Sequence, residues 1–290
     1  MTDGPGPRES IIKTLAPLCP DVDDEVLRDF VSRMDPEYFE RFQPHAIAHH
    51  IQLANRLTPD HPCELSMLDK RAGQSEISIV AYDYFSEFAA ICGVLSAFGL
   101  NIEEGRIYTF GEASPLSRRD PPSPARRPKG RPGLRRKKIV DVFLVHPVDH
   151  TGFSSRQQDT LRQMVTETIQ LLDAGRFQEA RQSVNRRLVE RLGKQRSAFT
   201  GLLHTVQITF DNNQSPTDTI MDIRSDDTPA FLYAFANALA MRNIYITKAQ
   251  FENDGTKLHD RFHVRNRHGQ KLLNQADQQQ LRLTAVLIKQ

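Results

Sequence analysis

The sequence has few cysteines and no long apolar run. Its three cysteines, Cys19, Cys63 and Cys92, are odd in number and show no Cys-x-x-Cys spacing, which argues against a disulfide framework and favours a reducing compartment. No uninterrupted apolar run approaches the roughly 18 residues that a membrane-spanning helix needs, and residues 1–8 are polar with glycine and proline. The composition therefore predicts a soluble, cytoplasmic protein that does not bind membranes.

Catalytic signatures are also missing. The sequence contains no Gly-x-Ser-x-Gly motif, no glycine-rich phosphate loop, and no Gly-Ser-like turn followed by an Asp-x-Asp pair that would hold magnesium against a nucleotide. His45 and His49 have the i, i+4 spacing of a helical metal pair, but nothing completes the ligand set, so an ordinary helix surface is the preferred interpretation. We expect no catalytic residue, no metal and no cofactor in this chain.

The positive charge is concentrated in one segment. Ten Lys or Arg residues lie between Arg118 and Lys138 against the single acid Asp120, although the whole chain carries a formal charge of only +2. The surrounding residues, about 112–136, are rich in proline and poor in large apolar side chains, so they cannot bury enough surface to offset the ordering entropy. We expect this insert to be disordered. Its charge suits nucleic acid or an acidic partner, but it has no aromatic residue to stack on bases, and nucleic acid is therefore the weaker hypothesis.

The sequence contains an internal repeat. The later copy runs from Thr219 to Val264 and the earlier one from Glu76 to Val145, and both close on the pattern Asp-x-Phe-x-Val. A constant offset of 144 residues relates three pairs of positions, which are Asp83 and Asp227, Leu95 and Leu239, and Ile102 and Ile246. A fixed offset predicts one structural unit used twice.

Each copy shows the order strand, strand, helix, strand, strand, helix. This order predicts an α+β fold of two ferredoxin-like units, each a four-stranded antiparallel sheet with helices on one face and with the leading strand as the fourth. The predicted domains are a helical N-terminal segment at 1–61, a first unit at 62–173, a linker helix within 174–203 and a second unit at 204–290. The amphipathic pattern from Phe177 to Leu192 predicts a linker helix that packs across both units.

These copies resemble ACT domains, the small amino-acid-sensing modules. The likeness rests on the strand Thr219 to Arg224, the turn Asp227-Thr228-Pro229, and the closing residues Asp260, Phe262 and Val264. The preceding strand from Val206 is similar to the one before the last ACT domain of bacterial PII uridylyltransferases. The N-terminal helices are similar to the segment that joins the catalytic half of that family to its ACT pair. The resemblance covers most of the chain after about residue 36.

The resemblance implies a regulatory protein of nitrogen control. It implies that the chain senses glutamine and acts on, or as part of, a PII uridylyltransferase or a related adenylyltransferase, with a PII-type protein as a partner. The ligand would lie where the first strand of each copy meets the first helix, because free amides at a helix N-terminus suit a carboxylate. The implied ligand-binding residues are Asp227, Thr228, Pro229, Ala230, Asp83, Ser86 and Asn101.

Two departures from the family pattern leave alternatives open. Ser86 and Ala230 stand where the family has glycine, which permits positive φ and close backbone approach, and Phe85 replaces a proline. Glutamine sensing, sensing of another small effector, and a purely structural repeat are therefore all retained. Two further hypotheses are that the catalytic portion lies outside these 290 residues, and that the chain is a non-sensing scaffold whose basic insert binds nucleic acid or an acidic partner.

Overall fold

The computed structural model describes residues 7–70, 73–111, 136–149, 153–193, 206–226, 230–253 and 257–288. The helices, in chain order, are α1 (Pro7–Leu15), α2 (Asp24–Arg33), α3 (Pro36–Arg41), α4 (Pro44–Arg56), α5 (Glu87–Ala97), α6 (Ser155–Asp173), α7 (Phe177–Leu192), α8 (Phe231–Met241) and α9 (Gln275–Ile288). The strands are β1 (Cys63–Asp69), β2 (Ser75–Tyr82), β3 (Leu100–Thr109), β4 (Lys138–Pro147), β5 (Val206–Asp211), β6 (Thr219–Asp226), β7 (Tyr245–Asn253) and β8 (Lys257–Arg265). The predicted insert lies almost wholly outside the described residues.

The element boundaries confirm the repeat. Strands β2 and β6 both have eight residues and begin 144 residues apart, and helices α5 and α8 both have eleven residues and begin 144 residues apart. Beyond the hairpin the offset falls to 119 residues, which relates the first residues of β4 and β8. We therefore call β1 to α6 the first copy and β5 to α9 the second copy.

The strands form one eight-stranded antiparallel sheet in the order β1-β2-β4-β3-β7-β8-β6-β5. The order reads the same in both copies when it is followed outward from the centre, where the equivalent strands β3 and β7 are neighbours. The α+β class is thus confirmed. Each copy contributes four strands, and the predicted four-stranded sheets are joined into one because the edge strand of one copy pairs with the edge strand of the other and satisfies backbone groups that would otherwise be exposed.

The described residues divide into two compact units, whose boundaries differ from those of the copies. The first unit contains residues 7–65, 79–83 and 108–140, as far as they are described, and the second contains 66–78, 84–107 and 141–288. No observation tests the domain boundaries predicted from the sequence, which stay a prediction.

Aromatic rings fill the core of the first unit. The ring of Tyr108 meets that of Tyr38 edge-on at 5.3 Å, and Phe110 meets Phe30 at 5.2 Å. The Tyr38 hydroxyl lies 2.6 Å from Nδ1 of His50. Burial lowers the pKa of His50 to about 3, so this imidazole is neutral at ordinary pH. The N-terminal helices are thus fixed by a cluster of rings around one neutral hydrogen bond.

Charged side chains of the first unit hold the two ends of the basic insert. The buried Arg33 donates through Nε to the carbonyl of Gly111 at 3.0 Å, and the buried Lys138 lies 3.5 Å from Asp29. The guanidinium of Arg136 lies over the ring of Tyr82 at 4.2 Å. The carboxyl end of the basic segment is therefore engaged by the folded chain.

In the second unit, α5 is the central helix and α7 and α8 pack against it. A Cβ at Gly93 would overlap Val184 of α7 and Tyr233 of α8, so glycine allows the three helices to approach closely. The Tyr233 hydroxyl also donates to Asn185 of α7. The expected role of the linker helix is confirmed, since α7 contacts a helix from each copy.

The two faces of strand β8 have different environments. Asp260, Phe262 and Val264 alternate with half-buried residues and are themselves buried, and the Phe235 ring of α8 lies 6.2 Å from that of Phe262. On the other face Arg261 donates twice to Asp222, at 2.7 and 2.9 Å. The repeated pattern Asp-x-Phe-x-Val is therefore the core face of a strand, as its placement in the repeat suggested.

None of the helices in the described ranges is long and apolar enough to cross a membrane. The three cysteines are buried and free.

Candidate functional site

The turns before α5 and α8 have a left-handed residue at the helix start. Ser86 has φ 67° and Ala230 has φ 59°, and neither side chain caps its helix. An L-residue in this region costs about 1 kcal/mol or more, which is the physical reason why glycine suits the position. The backbone shape is thus kept without glycine, and the first turn of α8 begins without a side-chain acceptor.

A cavity of about 200 Å³ lies beside the first turn of α8, within the second unit. Its volume is below the roughly 300–1,000 Å³ of pockets for drug-sized molecules, so it suits a small ligand. The residues that line it come from both copies and from α7. They are Ser96, Gly99, Leu100, Asn101, Ile102 and Val148 of the first copy, Leu188 and Arg191 of α7, and Ala230, Phe231, Leu232, Phe251, Glu252, Asn253, Leu258 and Asp260 of the second copy.

The cavity brings two of the seven predicted ligand residues together. Ala230 and Asn101 both line it, although they are 129 positions apart in the sequence. Asp83 is exposed and belongs to the first unit, where its N–H donates to the carbonyl of Lys137 at 2.9 Å. Ser86 is half-buried at the start of α5 and is not among the lining residues. The remaining three, Asp227, Thr228 and Pro229, lie outside the described residues.

Sequence reasoning missed Arg191, the one cation among the described lining residues. This side chain crosses Gly99, which has φ 70° and where any Cβ would overlap the guanidinium. Its Nε is buried and, within the described chain, has no hydrogen-bond partner, while Nη2 lies 3.9 Å from Asp149. The signal in the sequence was faint, because Gly99 is an ordinary glycine after a helix and Arg191 is one of several arginines on α7.

Two acidic residues also line the cavity. Glu252 is exposed near the end of β7, and Asp260 is buried within β8. Asp260 and its equivalent Asp141 both raise the pKa of the Cys92 thiol on α5, after the larger effect of burial. Cys92 is therefore an unreactive core thiol, and the carboxylate of Asp260 gives the cavity a negative side.

Aromatic rings meet at the equivalent place beside α5, and those of Tyr245 and Phe177 are partly exposed. Phe85 and Tyr245 correspond by the 144-residue offset to Pro229 and Asn101, and their ring centroids are 5.0 Å apart. Phe177 of α7 adds a third ring at 6.1 Å from Phe85. The two copies thus share the backbone conformation at the helix start but differ in the side chains around it.

Comparisons with known proteins show sequence similarity to one group of enzymes. No family model matches the chain. The chain is 26% identical over 199 residues, or 69% of its length, to the bifunctional uridylyltransferase/uridylyl-removing enzyme of Ruegeria pomeroyi, of which the match covers 18%. It is 25% identical over 219 residues, or 74% of its length, to the enzyme of that name from Rhodospirillum rubrum, of which the match covers 19%. For the Azospirillum brasilense enzyme the values are 22% over 250 residues, 85% and 23%.

The chain therefore resembles a region of the bifunctional uridylyltransferase/uridylyl-removing enzymes. The matches span only about a fifth of the length of these curated relatives. The resemblance read from the sequence is confirmed at this level, and it concerns a part of those enzymes rather than their whole activity.

Proposed function

We propose that this chain is a regulatory region of nitrogen control that binds a small amino-acid effector, with glutamine as the first candidate. Each copy is then an ACT domain, and the pair acts on, or as part of, a PII uridylyltransferase or adenylyltransferase. The observation that carries the proposal is the cavity, because Ala230 of the second copy and Asn101 of the first copy line one small space.

The sheet order supports the ACT assignment. Within the second copy the strands follow the order β7-β8-β6-β5, with β6 antiparallel to both β5 and β8. The strand that leads the copy thereby takes the fourth place of a ferredoxin-like sheet. The first turn of α8 then faces a cavity with backbone amides at its positive end, which favours a ligand carboxylate.

Calorimetric titration of the full chain with L-glutamine and a panel of other amino acids tests this function. We expect saturable heat for one or a few related amino acids, at one ligand per chain, and no heat for the D-enantiomer. Absence of heat for every member of the panel contradicts amino-acid sensing.

The scaffold alternative depends on the basic segment and is less well supported. Of the ten cations between Arg118 and Lys138, Arg136 stacks on Tyr82 and Lys138 is buried next to Asp29. These two charges are held within the first unit. Salt-dependent binding to RNA or heparin that disappears on deletion of residues 118–135 would favour the scaffold instead.

A further inference from the structure

We propose that Arg191 of α7 binds the carboxylate of the effector. The inference rests on the proposed function, and it assigns to the linker helix a part of ligand recognition. The lining of the cavity is divided between the two copies, and α7 is the segment that joins them. A ligand held by Arg191 therefore contacts all three parts of the second unit at once.

Packing directs Arg191 toward the cavity. Its guanidinium lies against Gly99, where a Cβ would overlap the guanidinium in its present position, and the φ of 70° at Gly99 favours glycine independently. Leu188, one turn earlier on α7, is buried and lines the same cavity. The side chain is thus laid along the cavity wall rather than extended into solvent.

The hydrogen-bonding capacity of Arg191 is largely unused. Its buried Nε has no partner in the described chain, and its contact with Asp149 is long, at 3.9 Å between half-exposed side chains. Such an ion pair contributes about 0–1 kcal/mol. A ligand carboxylate that accepts from the two Nη atoms would form the two-pronged pair that the guanidinium geometry favours.

The charges around the cavity specify a zwitterion. Arg191 and the first turn of α8 are positive, whereas Glu252 and Asp260 are negative. An α-amino acid places its carboxylate toward the first pair and its ammonium group toward the second. Asn101 adds an amide that donates and accepts hydrogen bonds, which favours an amino acid with a short polar side chain.

Calorimetry with two ligands separates this role from a structural one. The ligands are the amino acid that binds the wild-type chain, L-glutamine first, and the matching amino alcohol, L-glutaminol, in which CH₂OH replaces the carboxylate. We expect Arg191→Ala to weaken the amino acid by about 10- to 100-fold and to leave the weaker binding of the amino alcohol unchanged. Arg191→Lys should fall between them, because lysine keeps the charge and loses the two-pronged geometry.

The exposed Arg187, one turn earlier on α7 and not part of the lining, provides the matched control. Arg187→Ala should leave both affinities unchanged. Equal losses for the two ligands on Arg191→Ala, or no loss for either, overturn the assignment of Arg191 while leaving amino-acid sensing intact. A wild-type chain that binds no amino acid overturns the proposed function and this inference with it. If Arg191→Ala does not fold, the Arg191→Lys and Arg191→Gln variants provide the same comparison.

Discussion

The first and second copies have the same elements at the same spacing, yet residues at equivalent positions have different surroundings. Asn101 of the first copy lines a cavity, whereas Tyr245, its equivalent in the second, packs against Phe85. The cavity at the start of α8 and the aromatic cluster at the start of α5 occupy equivalent places. Repetition has therefore preserved the backbone, including the left-handed residues Ser86 and Ala230, while the side chains line a cavity at one place and bring aromatic rings together at the other.

The strands differ in the same manner. Tyr108 of β3 is buried against the rings of Tyr38 and Phe42, whereas the equivalent Glu252 of β7 is exposed. Strand β2 has one residue that is not buried, whereas β6 alternates toward its end. Residues 79–83, 108–111 and 136–140 belong to the same compact unit as the N-terminal helices, which explains why this part of the first copy is more deeply buried. The same sequence pattern thus forms buried strands in the first copy and partly exposed strands in the second.

The largest expected effect compares the loss of stability at two equivalent positions, Tyr108 of β3 and Glu252 of β7. We expect Tyr108→Ala to destabilise the chain by about 3–5 kcal/mol, because it removes a buried ring from an aromatic cluster. Glu252→Ala should change stability by less than about 0.5 kcal/mol, because the side chain is exposed. Urea unfolding of both variants provides the measurement. Similar losses for the two would contradict the assignment of one covered strand and one open strand.

A pH-dependent effect is expected from His50 of α4, which lies among the N-terminal helices of the first unit. The pKa of the buried His50, about 3, lies below its ordinary value near 6.5. The unfolded chain therefore binds the proton first, so the contribution is fully present above pH 6.5 and is lost as the pH falls toward 3. We expect the stability difference between wild type and His50→Gln to shrink by about 1.4 kcal/mol per pH unit below 6.5.

Chemical denaturation across pH 4–8 checks this slope, with the exposed His45→Gln as the control that leaves the profile unchanged. A constant difference between wild type and His50→Gln would show that His50 is not held neutral in the folded chain.

Ligand binding should distinguish the cavity at the start of α8 from the aromatic cluster at the start of α5. We expect one effector per chain, and we expect Asn101→Ala to weaken its binding by about 3- to 10-fold, the value of a lost neutral hydrogen bond. Tyr245→Ala, at the equivalent position, should leave the affinity unchanged. Calorimetric titration gives both stoichiometry and affinity. Two ligands per wild-type chain would show that the rings of Phe85 and Tyr245 do not close the second place.

The smallest effect tests the feature that the two copies share. Ser86→Gly and Ala230→Gly should each stabilise the chain by about 0.5–1 kcal/mol, because glycine has no penalty at positive φ and this gain exceeds its entropy cost. Ala238→Gly, within α8, should instead destabilise by about 1 kcal/mol. Thermal unfolding compares the three variants, and a loss of stability in either turn variant would contradict the left-handed assignment at that turn.

Much of the fold was predictable because its signals are local. Hydrophobic periodicity predicted α7 from Phe177 to Leu192, and both of its boundaries agree with the structure. Which strands join the two sheets was not predictable, because the pairing of β3 with β7 depends on two strand edges whose sequences carry no mark of their partner. Arg191 was missed for a related reason, since its significance depends on Gly99, which lies in another element.

By itself the sequence determined the repeat, the order of strands and helices, the absence of a catalytic motif and the resemblance to ACT domains, since all of these depend on spacing along the chain. The tertiary structure decided which residues meet. Asn101, Arg191 and Ala230 come together only because β3 lies beside β7 and α7 packs against α5. It also decided that the rings of Phe85 and Tyr245 meet at the equivalent place, because contacts between distant segments depend on how the elements pack.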